Sequence, residues 1–117
     1  MAIRILIVDD HSVVREGLRM FLARDPDLEV VGEAADGAEA LEQARQMRPD
    51  VVIMDIHMPE LTGIEATRRI CHDDQKVRIL ILTAYDEPAY IHALLDAGAD
   101  GFVLKTAALS EFYKALQ

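Results

Sequence analysis

Two adjacent carboxylates end the first apolar run of the chain: Asp9 and Asp10 follow ILIV at residues 5–8. Neighbouring anions repel each other, so a pair that stays charged either faces water or holds a cation. Taken alone, such a pair is more often a solvated turn or a helix cap. The choice depends on which other polar side chains the fold brings to the same place.

Polar side chains also follow three later apolar runs. The sequence places Asp55 after VVIM, Thr83 after RILIL and Lys105 after GFVL. A carboxylate beside a bound metal ion can attack a phosphoryl donor while the metal and a lysine neutralise charge on the transferring group. Asp55 is the best nucleophile because it stands alone at the end of its run, whereas Asp9 and Asp10 are better placed as metal ligands.

Strand-like and helix-like segments alternate along the chain. Four runs are rich in β-branched or large apolar residues and do not alternate with polar ones, which is typical of strands buried on both faces: IRILIV, VVIM, RILIL and GFVL. A more mixed fifth run, LEVVGEA, predicts an edge strand. Apolar residues between these runs recur at helical spacing: Val14, Leu18 and Leu22; Ala38, Leu41 and Ala44; Ile64, Thr67 and Ile70; Ile91, Leu94 and Leu95.

Local signals mark the helix starts. Residues 36–39 (DGAE) and 62–65 (TGIE) match the capping box, and residues 86–88 (DEP) offer a cap followed by a proline suited to the first turn. A final helix would begin near Ser110 and run for about two turns to Gln117, which suggests a truncated helix.

Five strands alternating with five helices through right-handed crossovers predict an α/β fold, a doubly wound parallel sheet with helices on both faces. With the flavodoxin-like strand order 2-1-3-4-5, the first and third strands are neighbours where the strand order reverses, and ligands bind beyond the carboxyl ends of the strands there. Asp9, Asp10 and Asp55 should therefore converge on one crevice, with Thr83 and Lys105 beside them. Such a set of oxygens predicts a hard divalent cation, Mg²⁺.

Two histidines flank the acids, His11 and His57. Imidazoles next to carboxylates can also hold a transition metal. We expect both rings to point to solvent instead.

Composition limits the classes of function. A chain of 117 residues with 51% hydrophobic content fits one compact domain over residues 1–117. Its formal net charge of −9 repels phosphate backbones, so direct binding of nucleic acid is not expected. A single cysteine, Cys71, excludes an internal disulfide and suits a reducing cytoplasm. The run at residues 5–8 is too short for a membrane span or a signal peptide, so a soluble cytoplasmic protein is predicted.

Four stretches of the sequence resemble the receiver domain of two-component response regulators: ILIVDDH, DVVIMDIHMPELTGIEA, ILILTAY and AGADGFVLK. They cover nearly the whole chain in the right order. The resemblance is particularly to the LuxR/FixJ-type (NarL-like) transcription factors, which carry a LuxR-type helix-turn-helix output domain. It implies a phosphoprotein of signal transduction whose DNA-binding output domain is not part of this chain.

The resemblance also implies roles for the acidic residues. Asp55 accepts a phosphoryl group from a sensor histidine kinase. Asp10 and Asp55 ligate Mg²⁺ directly, together with the main-chain carbonyl of His57, and Asp9 helps through water.

By the same resemblance, three further residues respond to phosphorylation. Lys105 contacts the phosphoryl group, Thr83 closes onto it, and Phe102 is the aromatic residue that changes rotamer on activation. The implied partners are the kinase and a C-terminal DNA-binding domain, with a homodimer formed on phosphorylation left open.

A Mg²⁺-dependent phosphatase with an aspartyl nucleophile is the alternative function. In haloacid dehalogenase-like enzymes the nucleophile opens a D-x-D motif and cap insertions shape the substrate pocket. Here the pair is adjacent in DDH, and no insertion is long enough for a cap. A partner-binding module that keeps the fold without phosphorylation should have lost part of the constellation, and no part is missing from the sequence. The residues therefore favour a phosphoacceptor signalling domain over an enzyme.

Overall fold

Strand and helix alternate over residues 3–83 of the structure, as the apolar pattern predicts. The computed structural model describes residues 2–55, 63–74, 76–83, 92 and 95–104. Ile91 and Leu94 of the fourth predicted helix lie outside the described residues. In chain order the elements are β1 Ile3–Val8, α1 Ser12–Leu22, β2 Leu28–Ala34, α2 Gly37–Met47, β3 Val51–Asp55, α3 Gly63–Asp73, β4 Arg78–Thr83 and β5 Gly101–Leu104. None of the helices in the described part of the chain is both long and apolar enough to cross a membrane.

Local capping agrees with the sequence where the structure describes it. Asp36 is the N-cap of α2, and its side chain accepts a hydrogen bond from the Glu39 N–H at 2.8 Å. The cap at residues 86–88 and the final helix from Ser110 lie outside the described residues, as does the Thr62 end of the second capping box.

All strands of the sheet are parallel, in the order β2-β1-β3-β4-β5. The doubly wound order predicted from the sequence is therefore confirmed, and LEVVGEA forms the predicted edge strand β2. Neighbours β1 and β3 are separated along the chain by two helices and β2. The strand order reverses between them, which is where a sheet of this kind opens a crevice.

Alternate residues of the central strand β1 face two apolar layers. Ile5 and Ile7 pack in the layer that contains Leu18 and Leu22 of α1, whereas Leu6 and Val8 pack in the layer formed with α2 and α3. These four β1 residues are at most 1% exposed. A slip of one residue in either direction would bring a charged residue, Arg4 or Asp9, into one of these apolar layers, so burial on both faces disfavours a change of register in β1.

This register determines which residues emerge together at the carboxyl edge of the sheet. Val8 pairs with Met54 across the β1–β3 junction. The next residue along each strand is an aspartate, so Asp9 and Asp55 leave the sheet side by side. Thr83 ends the following strand, β4, at the same edge.

A close backbone approach joins the segment before β5 to α3. Gly98 has a φ of 120°, and the Cys71 thiol of α3 lies 3.5 Å from its carbonyl oxygen. A Cβ at position 98 would lie 2.8 Å from the Cys71 sulfur. Burial raises the pKa of the Cys71 thiol, and the nearby Asp100 carboxylate raises it further. The sulfur thus acts as a packing group rather than a reactive thiolate at neutral pH.

Gly98→Ala should lower the free energy of unfolding by about 1–3 kcal/mol, because the new methyl group meets the sulfur and the positive φ disfavours an L side chain. Gly17→Ala is the matched control. Gly17 lies in α1 with nothing within 4 Å of a built Cβ, so that change should stabilise the protein by about 0.5–1 kcal/mol. Urea denaturation of the three proteins measures both effects, and equal stability of wild type and Gly98→Ala would contradict the close approach.

Candidate functional site

Asp9, Asp10 and Asp55 converge beyond β1 and β3, as the sequence predicts. One oxygen from each carboxylate and a ring nitrogen of His11 all lie within 4.8 Å of one another. Asp9 is 0% and Asp55 1% exposed, whereas the Asp10 side chain is 30% exposed. The site therefore has a buried floor of two carboxylates and a rim that solvent can reach.

His11 agrees with its prediction only in part. Its side chain is 65% exposed, but Nδ1 lies 3.1 Å from Asp9 Oδ1 and 3.0 Å from Asp10 Oδ1. The His11 backbone N–H also donates to Asp9 Oδ1 at 2.8 Å. Because His11 is the N-cap of α1, the turn out of β1 brings its ring over the two carboxylates. The imidazole is thus a neighbour of the acidic site and not simply a solvent-facing side chain.

Two hydrogen bonds hold the backbone of Asp9, one from each side. Its N–H donates to the Ala34 carbonyl of β2 at 3.0 Å, and Arg15 Nη1 donates to its carbonyl oxygen. Arg15 Nε lies 3.2 Å from Glu33 Oε1, and Arg19 Nη1 lies 2.7 Å from Glu33 Oε2. Arg15 is not among the site residues predicted from the sequence. A usable signal was the i,i+4 spacing of Arg15 and Arg19, which places two cations on one face of α1.

The other predicted site residues lie toward the later strands. Thr83 ends β4, which is the neighbour of the strand that ends in Asp55, and Phe102 lies in β5, one strand further from it. Lys105 and His57 lie outside the described residues. The roles assigned to these four residues stay predictions.

The donor atoms suit a hard divalent cation. Oxygens bind Mg²⁺ at about 2.0–2.1 Å in an octahedron, so ligands on opposite sides of the ion are about 4.2 Å apart. The 4.8 Å spread of the donor atoms is close to that distance. Three carboxylates in one crevice also repel each other, which a cation relieves. Asp9, Asp10 and Asp55 can therefore hold a metal ion.

Sequence comparison finds relatives over nearly the whole chain. The family described as the response regulator receiver domain matches residues 5–117. Transcriptional regulatory protein LiaR of Bacillus subtilis is 41% identical over 115 residues, which are 98% of this chain and 54% of LiaR. The chain spans about half the length of the curated relatives it matches.

Solved structures agree with the sequence comparison. A LuxR-family two-component response regulator from Aurantimonas sp. SI85-9A1 has a TM-score of 0.94 at 43% identity, covering 99% of this chain and 83% of that one. The signal receiver domain of NarL from Mycobacterium tuberculosis has a TM-score of 0.93 at 37% identity, covering 98% and 93%. Both proteins therefore resemble this chain in sequence as well as in fold.

Mg²⁺ should stabilise the folded chain, because a ligand that binds only the folded state shifts unfolding by mass action. At a concentration about tenfold above its Kd, the expected rise in Tm is about 5 °C. Asp10→Asn should remove most of this rise. Asp27→Asn is the control. Asp27 is an exposed carboxylate that precedes β2, at the amino ends of the strands and away from the site, so this variant should keep the full rise in Tm.

Thermal unfolding at matched ionic strength, with and without Mg²⁺, gives the comparison. Equal Mg²⁺-induced rises in wild type and Asp10→Asn would argue against a metal site at these carboxylates.

Proposed function

Because this chain belongs to the family of response regulator receiver domains, with relatives of the LuxR and NarL type at 37–43% identity, we propose that Asp55 accepts a phosphoryl group from a sensor histidine kinase. The position of Asp55 carries the proposal. It ends β3 at the crevice, is 1% exposed, and lies among the oxygens of Asp9 and Asp10. A nucleophilic carboxylate is thus placed next to groups that can hold a charge-neutralising cation.

The transfer uses Asp55 in its charged form. One carboxylate oxygen attacks the phosphorus of a phosphohistidine, so an O–P bond forms while the P–N bond breaks. The electron pair of the P–N bond stays on the imidazole nitrogen, which takes up a proton. The product on this chain is an acyl phosphate. Since the arriving phosphoryl group is anionic, Asp9 and Asp10 oppose its approach unless a cation is present.

Bound Mg²⁺ supplies the charge neutralisation and orientation that phosphoryl transfer needs. We assign Asp10 and Asp55 as its direct ligands, with the main-chain carbonyl of His57, and Asp9 as a ligand through water. Lys105 would pair with the charge of the phosphoryl group. In the structure, the N–H of His11 donates to Asp9 Oδ1, which orients that carboxylate before any ion binds.

Family membership favours this function over the phosphatase alternative. A receiver domain takes the phosphoryl group onto its own side chain instead of turning over a separate substrate. We therefore propose that the chain assists its own phosphorylation and dephosphorylation but is not an enzyme that acts on other molecules.

The wider role follows from the relatives. LiaR is named a transcriptional regulatory protein, and this chain matches 54% of it. We propose that residues 1–117 form the receiver of a cytoplasmic regulator and control a C-terminal DNA-binding output domain. A homodimer formed on phosphorylation would be one way to do so. The −9 charge of the receiver leaves DNA contacts to the output domain.

Transmission of the signal is assigned to Thr83 and Phe102. A phosphoryl group on Asp55 adds acceptor oxygens near the ends of β4 and β5, where the Thr83 hydroxyl can donate and Lys105 can pair with the charge. We propose that Thr83 moves inward and that Phe102 rotates into the space it leaves. A bias of a few kcal/mol is enough to change which of two states dominates.

Asp55→Asn should abolish phosphorylation by a small phosphodonor such as phosphoramidate in the presence of Mg²⁺. The amide has no charged oxygen to attack phosphorus, so intact mass spectrometry should show one added phosphoryl group in wild type and none in the variant. Asp27→Asn should be phosphorylated like wild type. Normal phosphorylation of Asp55→Asn would disprove the assignment.

Thr83→Ala should leave the phosphoryl chemistry largely intact while weakening the conformational response, whereas Lys105→Ala should damage both. Wild type and Thr83→Ala are phosphorylated to equal extents, confirmed by mass, and their backbone amide shifts are compared over residues 89–116. Smaller shift changes in Thr83→Ala are expected. Indistinguishable changes would mean that Thr83 does not relay the signal.

A further inference from the structure

Arg15 connects the acidic site to the edge of the sheet. Its guanidinium donates to the Asp9 carbonyl oxygen through Nη1 and contacts Glu33 Oε1 through Nε at 3.2 Å. The Arg15 side chain is only 19% exposed, so these contacts are partly shielded from water. Glu33 is held from its other oxygen by Arg19 at 2.7 Å. Glu33 therefore orients the Arg15 guanidinium, and Arg19 in turn holds Glu33 in place.

The carbonyl that Arg15 holds belongs to the peptide bond between Asp9 and Asp10. Because a peptide unit is planar, fixing the direction of its C=O also fixes its N–H and the start of the next residue. The N–H of Asp9 is held separately by the Ala34 carbonyl at 3.0 Å. Two adjacent peptide planes are thus constrained just where the chain must aim two carboxylates into one crevice.

We propose that Arg15 is a positioning residue for the metal site: by holding the Asp9 carbonyl it sets the orientation of Asp9 and Asp10 toward a divalent cation. The proposal rests on the proposed function, because it concerns the same carboxylates. Groups behind the ligands commonly control metal affinity in this way, with losses of about 10–100-fold when they are removed.

A purely electrostatic role and a positioning role predict opposite effects of removing Arg15 on Mg²⁺ affinity. A binding measurement can therefore distinguish them. Arg15 is a cation near a cation-binding site, so its charge alone weakens Mg²⁺ binding, and its removal should tighten it. If Arg15 positions the ligands, its removal should weaken binding despite the more negative surroundings. Arg19 provides the charge control, since it lies one turn along α1 and pairs with the same Glu33 but is 54% exposed.

The experiment measures the Mg²⁺ dissociation constant by calorimetry for wild type and four variants: Arg15→Gln, Arg15→Lys, Glu33→Gln and Arg19→Gln. Thermal unfolding without metal shows which variants remain folded. Arg15→Gln should raise the Kd about tenfold. Arg15→Lys should recover part of the affinity, because an ammonium can still donate to the Asp9 carbonyl but cannot also span to Glu33. Glu33→Gln loosens the Arg15 guanidinium but leaves it in place. Its Kd should lie between those of Arg15→Gln and Arg15→Lys.

Arg19→Gln should keep the wild-type Kd within about twofold, because exposed ion pairs contribute little. Wild-type or tighter binding by Arg15→Gln, or equal weakening in Arg15→Gln and Arg19→Gln, would overturn the positioning role. If Arg15→Gln does not fold, Arg15→Lys and Glu33→Gln decide in the same way, and unchanged affinity in both would overturn it. Failure of wild type to bind Mg²⁺ at all would instead remove the metal site of the proposed function and this role with it.

Discussion

Burial of two like charges at adjacent strand ends constrains the rest of this molecule. Asp9 and Asp55 are 0% and 1% exposed, and Asp10 stands beside them. Charged groups out of water are costly unless they are hydrogen-bonded or paired with an opposite charge. The backbone N–H of His11 supplies one hydrogen bond to Asp9, but it does not cancel a formal charge. An arrangement of this kind is best suited to a cation and to an incoming anionic group that the cation can also neutralise.

The sheet provides the positional accuracy that such a site needs. Two apolar layers bury both faces of β1, which prevents a slip in register, and the pairing of Val8 with Met54 then delivers Asp9 and Asp55 together. Contacts from α1 and β2 hold the turn that follows β1, through the Arg15 guanidinium and the Ala34 carbonyl. The core thus determines which residues reach the site, while polar contacts on one side of the sheet hold the backbone of Asp9.

The sequence predicted the sheet order and the convergence of the acids because both follow from strong, simple signals. Apolar runs without alternation identify buried parallel strands, and their carboxyl ends share one edge. The contacts of His11 and Arg15 could not be predicted in the same way. They depend on how the turn after Asp10 enters α1, and on the lateral distance from α1 to Glu33 in β2, neither of which a periodic pattern encodes. Gly98 is a similar case, since the close approach of its backbone to Cys71 brings together residues that are distant in sequence.

Chemical mapping of the phosphorylated residue tests the central claim most directly. Borohydride reduces an aspartyl phosphate to homoserine, which peptide mass spectrometry then locates in the chain. Incubation with phosphoramidate and Mg²⁺ should place homoserine at position 55 alone, and incubation in excess chelator should leave that position as aspartate. Homoserine at position 9 or 10, or equal conversion of Asp55 with and without Mg²⁺, would contradict a site in which one aspartate accepts the phosphoryl group while its neighbours hold the cation.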